Sequence, residues 1–315
     1  MDLGVQIEPQ LGFKFEDILA IAQDAERAGF TRLWVSDHLF LDPDAVNTDC
    51  LEAWTLLAAL AVRTERIRIG PMVTSQSYRN PALLAKIAAG VDVMSRGRLE
   101  FGLGAGWKDV EYRAYGYEFP DGPTRVTQMI ETLEICTRMW KDERATYQGK
   151  YYRIADALCS PKPMQKPLPI WIGGSKPRVM RAAARFARAF NFNLGVSQNT
   201  DSLKTAMRAL DDICKAVERE PSTLLRSSFL MSTLGATSAR SEELLKEFAA
   251  QQKTEPAKIL EQRPGLLRET PERALGRLRE YAALGIAHAN IMFQPYGSER
   301  EQIAALAPIT SQLGA

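Results

Sequence analysis

Three short stretches of this chain carry groups that could do chemistry. Ser36-Asp37-His38 follows the apolar run Leu33-Trp34-Val35, and His38 is one of only 2 histidines in 315 residues. An imidazole exchanges protons near neutral pH, so one set at a strand end suits general acid–base work. Asp37 is placed to orient that ring, or only to face a backbone turn. His38 itself has a blander alternative, which is to cap a helix or satisfy a carbonyl. Gly102-Leu103-Gly104-Ala105-Gly106-Trp107 looks at first like a dinucleotide loop. The G-x-G-x-x-G pattern fails, because a tryptophan stands where the third glycine is needed. What remains is a tight turn, or backbone that approaches a flat ligand with no Cβ in the way. Gly173-Gly174-Ser175 lies just before a helical pattern, and free N–H groups at a helix start attract anions. Lys176 and Arg178 add positive charge there, and a plain strand-to-helix turn is the alternative. His288 precedes a buried strand and reads as structural.

The elements that must position these groups alternate along the chain. Leu3–Ile7 is the first strand, and Phe15–Ala28 is a helix with Ile18, Leu19, Ala22 and Ala25 on one face. Leu33–Val35 is the second strand, Leu51–Val62 the second helix. The third strand lies in Ile67-Arg68-Ile69-Gly70-Pro71-Met72-Val73-Thr74, whose apolar run suits burial on both faces. Gly70-Pro71 inside it predicts a bulge, since proline gives no ladder hydrogen bond and glycine loosens a strand. Asn80-Pro81 then starts a helix to Met94, with Asn as cap and Pro in the first turn.

The rhythm continues with a strand at Arg98–Leu103, a polar aromatic loop and a helix over Thr124–Trp140. A small hairpin is expected at Tyr147–Tyr152. Further strands fall at Ile170–Ile172, Ala189–Phe192, within Arg226–Thr233 and at Ala289–Phe293. Helices fall at Pro177–Phe186, Asp201–Val217, Pro271–Leu284 and Ser298–Leu313. Eight strand–helix pairs in strict alternation predict an α/β fold, a (β/α)8 TIM barrel forming one domain over 1–315. Its insertions follow helix 4 and strand 7, at about 141–169 and 237–270, and are expected to cover the pocket. A doubly wound open sheet is the competing architecture. In a barrel, chemistry sits at the C-terminal strand ends. Those ends offer Glu8, Asp37-His38, Thr74, Gly104 to Trp107, Gly173 to Ser175, Asn191, Asn193, Ser232-Thr233 and Gln294. No Ser-His-Asp set and no metal-ligand cluster is among them, so the rim suits a cofactor that brings its own reactivity.

Composition narrows the rest. With 40 Lys+Arg against 38 Asp+Glu, the net charge of +2 asks for neither nucleic acid nor an anionic membrane. No apolar run approaches the roughly 20 residues needed to cross a bilayer. The start, Met1-Asp2-Leu3-Gly4-Val5-Gln6-Ile7, reads as a strand and not as a signal peptide, and a cytoplasmic protein is expected. Cys50, Cys136, Cys159 and Cys214 are widely spaced and read as free thiols.

Taken together, these stretches resemble the bacterial luciferase-like superfamily, and within it the coenzyme F420-dependent oxidoreductases. The matching text is Ala28 to Leu39, Arg66 to Thr74, Arg79 to Lys86, Gly97 to Trp107 and Pro169 to Gly174. The resemblance spans about residues 1 to 195. It implies a TIM barrel with F420, or alternatively FMN, across the C-terminal rim. It also implies a non-prolyl cis peptide at the end of strand three, which falls between Met72 and Val73 and backs the ring. His38 takes the catalytic place beside the reactive ring carbon, with Asp37 next to it. Met72, Val73, Thr74, Gly104, Gly106, Trp107 and Asn191 would line the cofactor, and Gly173, Gly174 and Ser175 would receive its phosphate. Lys176, Arg178 and Lys108 would favour its acidic tail. One departure stands at strand six, where Arg188-Ala189-Phe190-Asn191 keeps only Asn191 of the usual Asp-Gly-Trp-Asn-like end. The implied activity is hydride transfer between F420 and a small organic substrate. The same barrel with reduced FMN would be an oxygen-using monooxygenase, and the family also includes flavin binders without turnover. The resemblance is compatible with a homodimer.

Overall fold

The computed structural model describes residues 1–192 and 200–313. In chain order the elements are β1 (Asp2–Ile7), α1 (Phe15–Arg27), β2 (Arg32–Val35), α2 (Ala53–Arg63), β3 (Arg68–Pro71), β4 (Thr74–Ser75), α3 (Pro81–Met94) and β5 (Phe101–Gly104). Then come α4 (Asp109–Ala114), α5 (Gly122–Lys141), β6 (Ala145–Gln148), β7 (Arg153–Ala157), β8 (Ile170–Gly174), α6 (Pro177–Phe186), β9 (Ala189–Phe192) and α7 (Thr200–Ala216). The rest is β10 (Leu225–Ser232), α8 (Ser238–Gln251), α9 (Pro256–Gln262), α10 (Pro271–Ala283), β11 (His288–Phe293) and α11 (Glu299–Leu313).

One sheet runs in the order β3-β2-β1-β11-β10-β9-β8-β5-β4, and each of its pairings is parallel. A bridge from Ile69 to Leu99 joins β3 to the chain leading into β5 and closes the ring. β3 and β4 are thus two pieces of one barrel strand, and the TIM barrel predicted above is the observed fold. Strands buried on both faces explain the continuous apolar runs: β2, β5 and β9 are buried at every position. α3 starts as predicted, with the Asn80 side chain accepting from Ala82 N at 2.9 Å and Pro81 in the first turn.

The interruption of the third barrel strand falls later than Gly70-Pro71 suggests. Gly70 and Pro71 stay in register with Trp34 and Val35, and the break comes at Met72-Val73, whose peptide bond is cis. Pro71 is tolerated because the β2 side of the ladder is served by its neighbours, Arg68 N and Met72 N, which donate to Thr31 O and Val35 O. By the alternation of the strand its own nitrogen falls on the β5 side, one step beyond the Ile69–Leu99 bridge. Gly70 answers a close approach, since a Cβ there would overlap the carbonyl oxygen of Glu100.

Other differences lie outside the barrel strands. The hairpin is larger than predicted: β6 and β7 pair antiparallel, and Tyr151 and Tyr152 belong to the turn. That turn is held by Glu131, which accepts from the N–H groups of Lys150, Tyr151 and Tyr152 at 2.8, 2.9 and 2.9 Å. The polar aromatic loop after β5 contains a short helix, α4, and the charged segment after β10 contains two, α8 and α9. The four cysteines are free, with Cys50 half-buried and the others buried. Among the described residues, no helix is long and apolar enough to cross a membrane.

Candidate active site

The C-terminal ends of β2, β4, β5, β8 and β9 surround a cavity of about 500 Å³. Its lining brings together Asp37, His38, Met72, Val73, Thr74, Gly104, Gly106, Trp107, Gly173, Gly174, Ser175 and Asn191, all singled out in the sequence. Asn193 lies outside the described residues. Glu8 stands apart from this lining and accepts from Gln6 and Gln10 at 2.8 and 2.6 Å. Ser232 and Gln294 are tied instead to Gln302 of α11. His288 sits at the opposite end of the barrel, as a structural residue should. It is buried, with Nδ1 2.7 Å from Asp2 and Nε2 accepting from Trp34 at 3.1 Å. Burial lowers its pKa.

His38 is oriented by a residue the sequence did not announce. Its Nδ1 lies 3.0 Å from Glu111, in α4, and not on Asp37. Glu111 is fully buried and also accepts from Tyr78 OH at 2.7 Å, Leu39 N at 3.0 Å and Lys108 Nζ at 3.0 Å. Burial alone would push its carboxyl up. The hydrogen bonds from His38, Tyr78 and Leu39 and the His38 charge outweigh that, and the group is lowered to about 2. Tyr78 moves the opposite way, raised first by burial and then by its bond to Glu111. A carboxylate that accepts from Nδ1 assigns the ring proton of neutral His38 to that nitrogen. Nε2 is then the basic nitrogen. Trp107 meets the imidazole edge-on, with ring centroids 5.5 Å apart at 85°, and is 71% exposed.

Asp37 is engaged elsewhere. It receives Arg79 through two nitrogens, at 2.7 and 2.9 Å, Ser75 N at 3.1 Å and the Thr74 hydroxyl. Arg79 reaches on to Glu52, the residue that caps α2. Burial works against the charge of Arg79, and its bonds to Asp37 and Glu52 overcome this and raise its pKa. The Thr74 hydroxyl is also spoken for, since it accepts from Trp54 Nε1 at 3.0 Å. Asp37 therefore locks the β4 end to the loop after β2, and the expectation that it orients His38 is corrected.

Two of the three basic residues expected near a cofactor tail are likewise committed. Lys108 Nζ donates to Phe40 O and Leu41 O at 2.6 and 2.7 Å, closing the loop behind His38. Arg178 donates to Pro123 O and Thr127 Oγ1 at 2.6 and 2.7 Å, tying α6 to α5. Lys176 is exposed, lines the cavity and stands before α6, which has no side-chain cap of its own.

The glycines make room where the sequence suggested they would. A Cβ on Gly104 would stand 2.5 Å from Val73 Cγ2, and Gly106 has φ +77° with its Cβ direction filled by the Tyr112 hydroxyl. Asn191 is buried, with Oδ1 accepting from Ser227 at 2.9 Å. The cavity thus has a side-chain-poor wall at Gly104 and Gly173, the branched Val73 beside it and an uncapped helix start at one end. It has a histidine–carboxylate pair as well. That fits a flat, phosphate-bearing cofactor. Glu111, Tyr78 and Arg79 were missed because each is an ordinary polar residue in its own stretch. A signal for Glu111 existed in Asp109-Val110-Glu111-Tyr112, a potential helical turn directly after the glycine cluster.

The profile of the luciferase-like monooxygenase family matches residues 2–309. An F420-dependent glucose-6-phosphate dehydrogenase from Microbacterium testaceum is 29% identical over 299 residues, covering 88% of this chain and 87% of the relative. One of the same description from Amycolatopsis mediterranei is 25% identical over 305 residues, covering 91% and 90%. Among solved structures, an F420-dependent secondary alcohol dehydrogenase in complex with an F420-acetone adduct superposes with a TM-score of 0.81 at 20% identity, covering 96% and 97% of the two chains. The EDTA monooxygenase of Chelativorans gives a TM-score of 0.81 at 18% identity, covering 100% and 94%. At these identities the structural likeness concerns the fold.

Proposed function

The chain belongs to the luciferase-like monooxygenase family, and from that premise we propose that it is an F420-dependent oxidoreductase acting on a small, hydroxyl-bearing organic substrate. The observation that carries this reading is the meeting of His38–Glu111 with the Val73, Gly104 and Gly173 wall in one cavity. The dehydrogenases named for F420 among its relatives support the cofactor and the class of reaction.

Met72, Val73, Thr74, Gly104, Gly106, Trp107 and Asn191 would hold the deazaflavin, and Gly173, Gly174 and Ser175 its phosphate. Bound F420 supplies hydride transfer at the central carbon of its ring. The protein's own task is the proton. With the proton of neutral His38 on Nδ1 against Glu111, Nε2 accepts the proton of the substrate hydroxyl as the carbonyl forms. The charge that develops on the imidazole is met by the buried Glu111 carboxylate. Asp37 serves by position, fixing the β4 end through Arg79. Trp107 offers an exposed aromatic surface to the substrate beside His38.

The test is anaerobic incubation of the purified protein with F420 and a panel of sugars, sugar phosphates and secondary alcohols, following loss of the oxidised F420 absorbance. Bleaching with one class of hydroxyl compound is expected. No bleaching with any of them, together with substrate-dependent oxygen uptake on reduced FMN, would reverse the proposal.

A further inference from the structure

We propose that Lys108 is a positioning residue for His38: it shares the Glu111 carboxylate with the imidazole, and its charge keeps that imidazole available as a base. The proposal rests on the reading that His38 takes the substrate proton. All three side chains line the cavity. Lys108 stands directly before α4, three residues ahead of Glu111, and both reach the loop that follows β2. Glu111 holds that loop by its N–H groups, accepting from Leu39 at 3.0 Å and Phe40 at 3.4 Å. Lys108 holds the same loop by its carbonyls, donating to Phe40 O at 2.6 Å and Leu41 O at 2.7 Å. Its third donor goes to Glu111 Oε1 at 3.0 Å, so the whole ammonium is used inside the protein. Cys50 adds a further tie, since its thiol donates to His38 O at 3.3 Å. One ion pair thus fixes the backbone next to the ring through its donors and its acceptors alike.

The charges matter as much as the bonds. Glu111 alone would be a fully buried carboxylate 3.0 Å from Nδ1, and an opposite charge so close favours the imidazolium. An imidazole that is already protonated has no lone pair for a hydroxyl proton. Lys108, with its side chain 14% exposed, sets a positive charge against the same carboxylate, so the pair faces the neutral ring with no net charge. The other titratable groups at this end leave that balance to Lys108 and Glu111. Burial pushes up both the Tyr78 hydroxyl and the Cys50 thiol, the thiol to about 11, so neither is charged at neutral pH. Asp37 is matched by Arg79. Glu8, bonded to Gln6 and Gln10 after β1, is common to every variant below. Glu111 keeps its own charge when Lys108 is removed, because the bonds from His38, Tyr78 and Leu39 that hold it ionised remain.

The test uses the small histidine count. With only 2 histidines in the chain, protein made with isotopically labelled histidine gives two sets of ring signals, and His38→Ala assigns them. Wild type, Lys108→Met and Lys108→Arg are titrated by NMR with and without F420, and kcat/KM for a hydroxyl substrate is followed over the same pH range. Melting temperatures and F420 fluorescence titrations report folding and loading. Lys108→Met should raise the His38 midpoint by about one pH unit, the size of shift expected when one close charge is lost. The acid limb of kcat/KM should move up with it. Lys108→Arg keeps the charge, and its midpoint should stay within about 0.3 unit of wild type even where its plateau activity falls. Lys108→Gln, whose amide still donates to the loop carbonyls, replaces Lys108→Met if that variant does not fold, with the same shift expected. An unmoved midpoint in the neutral variant, or an equal shift in Lys108→Arg, would reduce Lys108 to a structural tie and overturn the inference. So would an acid limb that ignores a shifted midpoint. A shifted midpoint with no turnover of any hydroxyl compound would sink the reading of the activity and leave the role of Lys108 standing.

Discussion

Glu111 is the side chain on which the His38 end of the cavity depends. Its carboxyl sits at about 2 in the folded chain against an ordinary 4.5. A depressed folded value contributes stability that is present above the ordinary pKa and disappears as pH falls toward the folded one. Glu111→Gln should therefore cost stability at pH ~7, on the order of 1–3 kcal/mol after partial rearrangement of its donors. The gap in melting temperature between variant and wild type should shrink as pH drops from ~5 toward ~2. A gap that stays constant over that range would show that Glu111 is not the acid-sensitive group. His38→Ala should behave differently. It should reduce turnover with F420 by about 10² to 10⁴, the range for a lost general base, while F420 binding changes little. Equal loss of binding and turnover would make His38 a positioning residue. His38 was legible because it follows a strand and has one rival in the chain. Glu111 was not, because its importance comes from donors distant in sequence, His38 and Leu39 after β2 and Tyr78 before α3, joined by Lys108 from its own stretch.

The strands and helices of the barrel were legible from apolar runs, caps and glycine stops, and their order gave the fold. Reading proline and glycine as ladder breakers put the split of the third barrel strand at Gly70-Pro71, too early, whereas the resemblance put it at Met72-Val73, where the structure has it. Gly70 is a close-approach residue, and Gly70→Ala should destabilise by about 3 kcal/mol in urea unfolding, since a backbone oxygen cannot move aside as a side chain can. A loss below about 0.5 kcal/mol would mean β3 and β5 separate easily. α8 and α9 escaped notice because Leu245, Phe248, Ile259 and Leu266 build a small core of their own, outside the barrel rhythm. α11 carries a further prediction. Glu299 is buried at its start, and burial raises its pKa to about 7, against the bond it accepts from Gly297 N. A raised folded value means stability that is full below the ordinary 4.5 and lost as pH rises through about 7. Glu299→Gln should thus raise the melting temperature at pH ~8, by an amount equivalent to roughly 1–3 kcal/mol, and change it little at pH ~4. The opposite order would show a carboxylate stabilised by the helix start.

For the molecule as a whole, the barrel brings the His38–Glu111 pair and the uncapped start of α6 to one cavity, and in the proposed reading these handle the proton and the anion while a cofactor supplies the reactive centre. What the chain could not spell out is the substrate, since the hairpin and the α8–α9 segment carry no motif that names one. The measurement that bears most directly on the account is a side-by-side fluorescence titration of the purified apoprotein with F420 and with FMN, at low and at raised salt. F420 is expected to bind at least about tenfold more tightly than FMN, and to weaken as salt screens its anionic tail. Tighter binding of FMN than of F420 would contradict the account at its centre.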